Sequence, residues 1–248
     1  MAETLVTDDA VTLSVSDYSE TSQIACLFTR HSGRLSVIAK GSKRPKNRFG
    51  GPLDRLQCAQ AVFSLSRRGG LGTLVELSPQ GDTSGLGRRL EAFYAASTIA
   101  ELVRLGTEEL DPHAEVFKLL QHTLTRLSQG DDSAILLFWF EARFLRELGL
   151  LPQLAVCVSC GRKRPAGQAG RFDPAAGGIR CRSCRGGGST VTACGKALEA
   201  LAFLSAAGPG EAARVRLSKQ TAADMRKVLG AYWPHVLGRA PRAIKWVR

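Results

Sequence analysis

Apolar and polar residues alternate with a period of two along the first third of the chain, and the alternation comes in five short runs. These are Val11-Thr-Leu13-Ser-Val15, Ile24-Ala-Cys26-Leu-Phe28, Leu35-Ser-Val37-Ile-Ala39, Ala61-Val-Phe63-Ser-Leu65 and Thr73-Leu-Val-Glu-Leu77. Successive side chains of a strand point to opposite faces, so each run predicts a strand with one buried face. Arg30-His-Ser-Gly33 reads as a hairpin turn between the second and third strands, while Arg67-Arg-Gly-Gly70 and Ser78-Pro79 bound the last two. Five short strands in about 80 residues suit a small closed barrel, of which the OB-fold is the commonest. An SH3-like barrel fits the same pattern.

From Arg88 the period becomes helical. One apolar face runs through Leu90, Phe93, Tyr94, Leu102 and Val103, a second through Val116, Leu119, Leu120, Thr123, Leu124 and Leu127, and a nearly continuous apolar stretch fills Ile135 to Leu148. Gly149 and Pro152 supply the stop signals for this third helix. Helical patterning resumes from Lys196 to Ala207, halted by Gly208-Pro-Gly210, and from Thr221 to Leu237. There Thr221 and Asp224 have capping-box spacing and Pro234 predicts a kink. The expected organisation is an α+β multidomain chain: an OB-fold β-barrel over 1–82, an α-helical bundle formed from 83–151 and 190–248, and an inserted module over 152–189.

That module contains the sharpest local signal. Cys157-Val-Ser-Cys160 and Cys181-Arg-Ser-Cys184 are two C-x2-C pairs with 20 residues between them. Two such knuckles facing each other form the closed four-thiolate shell that one structural Zn2+ prefers, with no position open for a reacting water. Gly161 after the first pair and Gly186, Gly187 and Gly188 after the second allow the sharp turns. Large apolar residues between the pairs are few (Val158, Phe172, Ile179), so the metal is expected to supply most of the local folding free energy. Buried thiols or a redox C-x-x-C are the alternatives.

The chain has 248 residues, 44% of them hydrophobic, with 34 Lys plus Arg against 22 Asp plus Glu and a formal net charge of +12. This balance favours a polyanionic partner, either nucleic acid or an anionic membrane surface. No apolar run is long enough to span a membrane, and Met1-Ala-Glu-Thr lacks the basic start and apolar stretch of a signal peptide, so a cytoplasmic, nucleoid-associated protein is expected. Cys26, Cys58 and Cys194, outside the metal set, read as reduced and buried.

The densest charge lies on the third strand and the loop after it. Arg30, Arg34, Lys40, Lys43, Arg44, Lys46, Arg48 and Arg55 occur with a single acid, Asp54. A basic loop on a small barrel can track a phosphate backbone, with Gly41, Gly50 and Gly51 letting it mould to the ligand; a merely solvated loop is the alternative. Among the aromatics Phe28, Phe63, Phe49 and Tyr18, the first two occupy core positions. Phe49, among cations with no obvious core to join, is the expected base-stacking residue. A second basic group (Arg162, Lys163, Arg164, Arg171, Arg180, Arg182, Arg185) surrounds the cysteines with Asp173 as its acid, and Arg239, Arg242, Lys245 and Arg248 lie near Trp246 at the C-terminus. Catalytic motifs are missing. Gly195-Lys196 lacks the upstream glycine of a P-loop, His31, His113, His122 and His235 are scattered, and no G-x-S-x-G occurs, so no enzyme is expected.

In sequence order, Asp17-Tyr18-Ser19-Glu20, Leu27-Phe28-Thr29-Arg30 with Gly33, Ala39-Lys40-Gly41, Glu91 to Leu105, Phe144 to Pro152, and the Cys-x-x-Cys-Gly segment closing with Gly177-Gly-Ile-Arg-Cys181 resemble the RecO DNA repair proteins, which mediate recombination in bacteria. Ser19 stands where the family motif has glycine and Ser22 where it has an acid; the four cysteines, incomplete in some relatives, are all present. The resemblance implies an OB-fold, a helical domain and a zinc element. It also implies a non-enzymatic protein that binds single- and double-stranded DNA and anneals complementary strands. With RecR, and in many bacteria RecF, such a protein loads RecA on strands covered by single-strand DNA-binding protein. DNA contacts are expected at Arg30, Arg34, Lys40, Lys43, Arg44, Lys46, Arg48, Phe49 and Arg55, with Arg162, Lys163, Arg164, Arg180, Arg182 and Arg185 as additional contacts. A zinc-ribbon adaptor protein and an RNA-binding OB-fold protein are the rival readings.

Overall fold

The computed structural model describes residues 4–65, 70–184 and 188–246. The five alternating runs form β1 (Leu5–Asp17), β2 (Gln23–Thr29), β3 (Gly33–Ala39), β4 (Cys58–Ser64) and β5 (Gly72–Pro79). They close into a barrel in the order β1-β2-β3-β5-β4, with β3 and β5 parallel and the other pairs antiparallel. This is the Greek-key order of an OB-fold, which settles the choice left open by the pattern. β1 makes closure possible because its 13 residues pair with β4 over Leu5 to Val11 and with β2 over Ala10 to Asp17, across an irregularity between Thr12 and Ser14. Ala25, Leu27, Leu35, Val37, Phe63 and Leu74 fill the interior at no more than 1% exposure.

Six helices follow among the described residues: α1 (Leu90–Gly106), α2 (Ala114–Ser128), α3 (Ser133–Glu147), α4 (Gly195–Ala206), α5 (Pro209–Ala212) and α6 (Lys219–Leu237). Between α3 and α4 the chain forms a three-stranded sheet in the order β7-β6-β8, from β6 (Gly170–Asp173), β7 (Gly178–Arg180) and β8 (Val191–Ala193). Two compact units result, Met1–Asp131 and Asp132–Arg248. The barrel shares its unit with α1 and α2; α3 packs with α4, and α4 with α6, in the other.

In the barrel unit Phe28 meets Phe117 of α2 with ring centroids 6.2 Å apart. The α1–α2 connection lies against the β2–β3 hairpin: Leu110 N–H donates to the Arg34 carbonyl, and a Cβ on Gly33, whose φ is 74°, would fall 2.5 Å from the Asp111 backbone. Glycine there serves both the turn and the close approach.

Helix ends mostly follow the stop and start signals. Asp132 caps α3 by accepting from the Ala134 and Ile135 N–H groups. At its other end Leu150 N–H donates to Leu145 O and Gly149 N–H to Arg146 O, with Gly149 at φ 70°, the paired bonds of a Schellman motif. Two expectations need correction. Ser218, not Thr221, caps α6, since its Oγ accepts from Thr221 N–H, and Asp224 accepts from Cys194 N–H instead of completing a capping box. Gly208-Pro-Gly210 does not simply stop α4; Pro209 opens the single turn α5, its missing N–H costing nothing at a first helical position. α6 runs through Pro234 to Leu237.

A further correction concerns the metal segment, which does have a core. Phe172 and Ile179, paired across β6 and β7, are buried, and the Phe172 ring meets Tyr232 of α6 edge-on at 5.5 Å. Tyr232 in turn donates to Leu150 O.

At the centre of the second unit lies Glu141 of α3, fully buried, with Oε1 accepting from Arg226 Nη1 and Trp233 Nε1 of α6, each at 2.9 Å. Arg226 also stacks over Phe138 at 4.5 Å. Removing one partner of a buried pair leaves the other's charge and donors uncompensated. Glu141→Ala is therefore expected to destabilise the second unit by about 3 kcal/mol in urea unfolding, and Glu141→Leu combined with Arg226→Met to recover most of that loss.

Candidate nucleic-acid interface and metal centre

The loop between β3 and β4 carries most of the basic run, and hydrogen bonds hold it at its flanks and its tip. The buried amide of Gln23 on β2 holds both flanks of the β3–β4 loop: its Oε1 accepts from Ser42 Oγ at 3.0 Å and from Leu53 N–H at 2.8 Å. Ser22 Oγ accepts from Gly41 N–H, and Thr21 O from Lys43 N–H, so the β1–β2 turn and this loop form one end of the barrel. At the tip, Asn47 accepts from the Phe49 and Gly51 N–H groups and donates to Arg44 O. Gly41, Gly50 and Gly51 all have positive φ, a backbone conformation that residues with a Cβ rarely adopt.

Lys40, Arg44, Lys46 and Arg48 project from this loop as exposed side chains. Lys43 is paired with Asp17 at 2.7 Å, and that bond holds the Asp17 carboxyl below its ordinary range. Arg55 is exposed with its guanidinium 5.1 Å from the Phe93 ring centroid. Arg30 and Arg34 lie elsewhere. They flank the β2–β3 hairpin, at the other end of β3, which at about 3.3 Å per residue puts them roughly 20 Å from Lys40. Arg30 lies 3.6 Å from Asp9, and Arg34 Nε donates to Thr107 O. The eight cations adjacent in sequence thus fall into separate groups.

Phe49 corrects an expectation. Its ring packs against the barrel core and carries Arg48 5.7 Å above its centroid, so it has a core to join. The aromatic left open at this end of the barrel is Tyr18, 63% exposed in the β1–β2 turn, where Tyr18 and Ser19 N–H groups both donate to Ser22 O. The signal was present in the sequence: Tyr18 falls after the alternation of β1 ends, among polar residues.

In the second unit the four sulfurs of Cys157, Cys160, Cys181 and Cys184 all lie within 4.8 Å of one another. Cys160 and Cys181 sulfurs are 3.8 Å apart, and 3.8 Å is about the edge of a tetrahedron whose centre is ~2.3 Å from each corner, the Zn–S distance. No disulfide joins them. Gly161, at φ 71°, donates to Cys157 O and closes the first knuckle; Cys181 N–H donates to Cys157 Sγ at 3.3 Å and links the two. That bond, with the Ser159 N–H, draws the Cys157 thiol down to about 6, whereas contact with the Cys160 and Cys181 thiols pushes Cys184 up to about 12. The cluster can hold one metal ion. Gly186, Gly187 and Arg185 lie outside the described residues, as do Arg67, Arg68, Gly69 and Arg248. Of the remaining cysteines only Cys58 is fully buried, its thiol pushed up to about 11; Cys26 and Cys194 are half-buried, and all three are reduced.

Two of the cations around the cysteines are committed inward. Arg180 Nε bonds Asp173 at 2.6 Å, lowering the Asp173 pKa, and Arg164 donates to the Leu154, Pro165 and Gln168 carbonyls. Arg162, Lys163 and Arg182 are exposed.

Comparison with known proteins accounts for both units. Residues 1–80 match the family described as Recombination protein O N terminal, and residues 87–243 match Recombination protein O C terminal. The chain belongs to the recombination protein O family. Its relatives include proteins named DNA repair protein RecO from Anaeromyxobacter sp. (strain K), 34% identical over 92% of this chain and 90% of that protein, and from Myxococcus xanthus (strain DK1622), 32% identical over 97% and 96%. Another, from Syntrophus aciditrophicus (strain SB), is 29% identical over 94% of this chain and 91% of its own length. No helix among the described residues is long and apolar enough to cross a membrane.

Because one amide serves both flanks of the β3–β4 loop, Gln23→Ala is expected to cost about 1–3 kcal/mol of barrel stability and to speed amide exchange over 41–53 ahead of global unfolding. Hydrogen exchange followed by mass spectrometry measures both.

Proposed function

We propose that this member of the recombination protein O family acts in DNA repair and recombination as a mediator that binds single- and double-stranded DNA without regard to sequence. It anneals complementary strands and, with RecR and RecF, helps load RecA on DNA covered by single-strand DNA-binding protein. The observation that carries this reading is the barrel end where exposed Lys40, Arg44, Lys46 and Arg48 surround an ordered loop beside exposed Tyr18. Cations there neutralise phosphates and release counterions, giving affinity that falls steeply with salt, while an open aromatic ring accepts any base. Annealing needs nothing more than a cationic surface that screens two backbones and leaves base edges free.

In this reading the four cysteines hold one structural Zn2+, supported by the sulfur spacing; a four-thiolate shell fills the tetrahedral positions that zinc prefers in structural sites. The ion fastens the two knuckles; the sheet between them is additionally held by Phe172 against α6.

Fluorescence anisotropy of a labelled single-stranded oligonucleotide over a salt series tests the DNA reading. Lys40→Glu combined with Lys46→Glu is expected to weaken binding at least tenfold at low salt and to reduce the salt slope by about two. An unchanged slope would remove the loop from the interface, and no binding by the wild-type protein would remove the function. For the metal, the purified protein is expected to carry one zinc per chain, and Cys184→Ser or strong chelation to open residues 152–189 to proteolysis while the barrel unit stays resistant.

A further inference from the structure

The three strands of the cysteine module bury one face and turn the other outward, and the outward face is electrostatically unfavourable as it stands. Antiparallel register places Arg171 at the centre of β6 directly opposite Arg180 of β7 on one side and Thr192 of β8 on the other. Directly opposed residues share a face, and like charges in that relation destabilise a sheet. Asp173, diagonal to Arg180, neutralises that guanidinium alone. The Arg171 side chain is half-buried and makes no hydrogen bond or ion pair among the described residues. Beside it lies a cleft of about 490 Å³ whose cations are Arg162, Lys163, Arg164, Arg171, Arg180 and Arg182; no carboxylate lines it, and Cys157 and Cys181 of the metal cluster form part of its wall. Pro165 and Ala169 supply an apolar edge to the same cleft.

A guanidinium kept half out of water with no partner of its own, beside the exposed cations Arg162, Lys163 and Arg182, lowers its energy by taking up an anion. The size and the mixed wall suit one nucleotide: a phosphate on the Arg171 guanidinium, flanked by Arg182 and Lys163, with sugar or base against the Pro165 side. We propose that this cleft is a second nucleic-acid site, which seats a nucleotide of single-stranded DNA with its phosphate on Arg171. The proposal rests on the DNA-binding reading of the family member given above. It gives the protein one strand site on each of its two units, so that two strands can be held by different surfaces of one chain. Arg164 and Arg180, turned to internal partners, shape the cleft and do not carry the phosphate.

Arg171→Gln separates this role from a structural one. Because it removes an unpartnered charge opposite Arg180, the variant is expected to retain one zinc per chain and to melt at or above the wild-type temperature. Its affinity for a labelled oligothymidylate is expected to fall about tenfold at low salt and the salt slope by about one. Photocrosslinking of the full-length, zinc-loaded protein to an oligonucleotide carrying 5-iododeoxyuridine is expected to mark peptides within 162–183 as well as the barrel loop, the former mark disappearing in Arg171→Gln. If a variant combining Arg171→Gln, Lys163→Glu and Arg182→Glu keeps the wild-type affinity and slope while Lys40→Glu with Lys46→Glu loses them, the cleft is not a DNA site although the barrel reading stands. Displacement of the 162–183 crosslink by inorganic phosphate supports the proposal. Tight binding of an acidic peptide to the cleft, with DNA crosslinks confined to the barrel, overturns it in favour of a protein partner. Loss of all DNA binding by the wild-type protein overturns the cleft and the barrel reading together.

Discussion

Closure of the barrel is the constraint on which the rest of the first unit depends. An open five-stranded sheet would leave two edges with unpaired backbone groups; here β1 pairs along one half with β4 and along the other with β2, and a short parallel pairing of β3 with β5 closes the circuit. The irregularity between Thr12 and Ser14 bends the strand where it changes partner, and Thr12 exchanges backbone bonds with Leu56 and Gln57, the residues that lead into β4. Once the circuit is closed, the loops have no freedom about which rim they occupy. The β1–β2 turn and the β3–β4 loop must share one rim, and the β2–β3 hairpin must occupy the other.

That geometry explains which parts of the architecture could be read from the chain. Strand positions were legible because burial alternates along β3 as strictly as the sequence does, from Gly33 to Ala39. Helices were legible for the same reason, and Gly149 marked the end of α3 because a left-handed residue is needed there. The spacing of the four cysteines was enough to bring their sulfurs together, since each pair spans a single knuckle. Charge was less legible. Counting cations along the sequence joined Arg30 and Arg34 to Lys40 and Arg44, although they lie at opposite ends of β3, and it could not show that Arg34 bonds the α1–α2 connection. Phe49 was misread for a related reason: its neighbours in sequence are polar, but its neighbours in space belong to the barrel core. Long-range packing decides such cases, and local pattern carries no record of it.

The second unit shows two kinds of adhesive acting on a short segment. The thiols gather the two knuckles, whereas the sheet between them is held by a hydrophobic face: Phe172 meets Tyr232, and the strand β8 continues to Cys194, whose N–H is held by Asp224 of α6. Gly195, the first residue of α4, lets the turn at Gly167 lie close to it, since a Cβ there would fall 2.2 Å from the Gly167 backbone. A segment with few apolar residues of its own can therefore be well ordered when the helices beside it contribute the missing surface. Glu141 adds the polar counterpart, for its carboxylate engages Arg226 and Trp233 on one helix and so fixes the rotation of α6 relative to α3.

The amide of Gln23 has a consequence for how this family can diversify. Since one side chain on a rigid strand fastens the loop where it leaves the barrel and where it returns, the residues between Ser42 and Leu53 are relieved of the task of positioning themselves. Lengthening such a tethered segment from ten to twenty residues adds only about 0.6 kcal/mol of closure entropy. Natural variation can thus rewrite the length and composition of the tip while the barrel beneath it stays the same, and the surface offered at that rim becomes an exchangeable part.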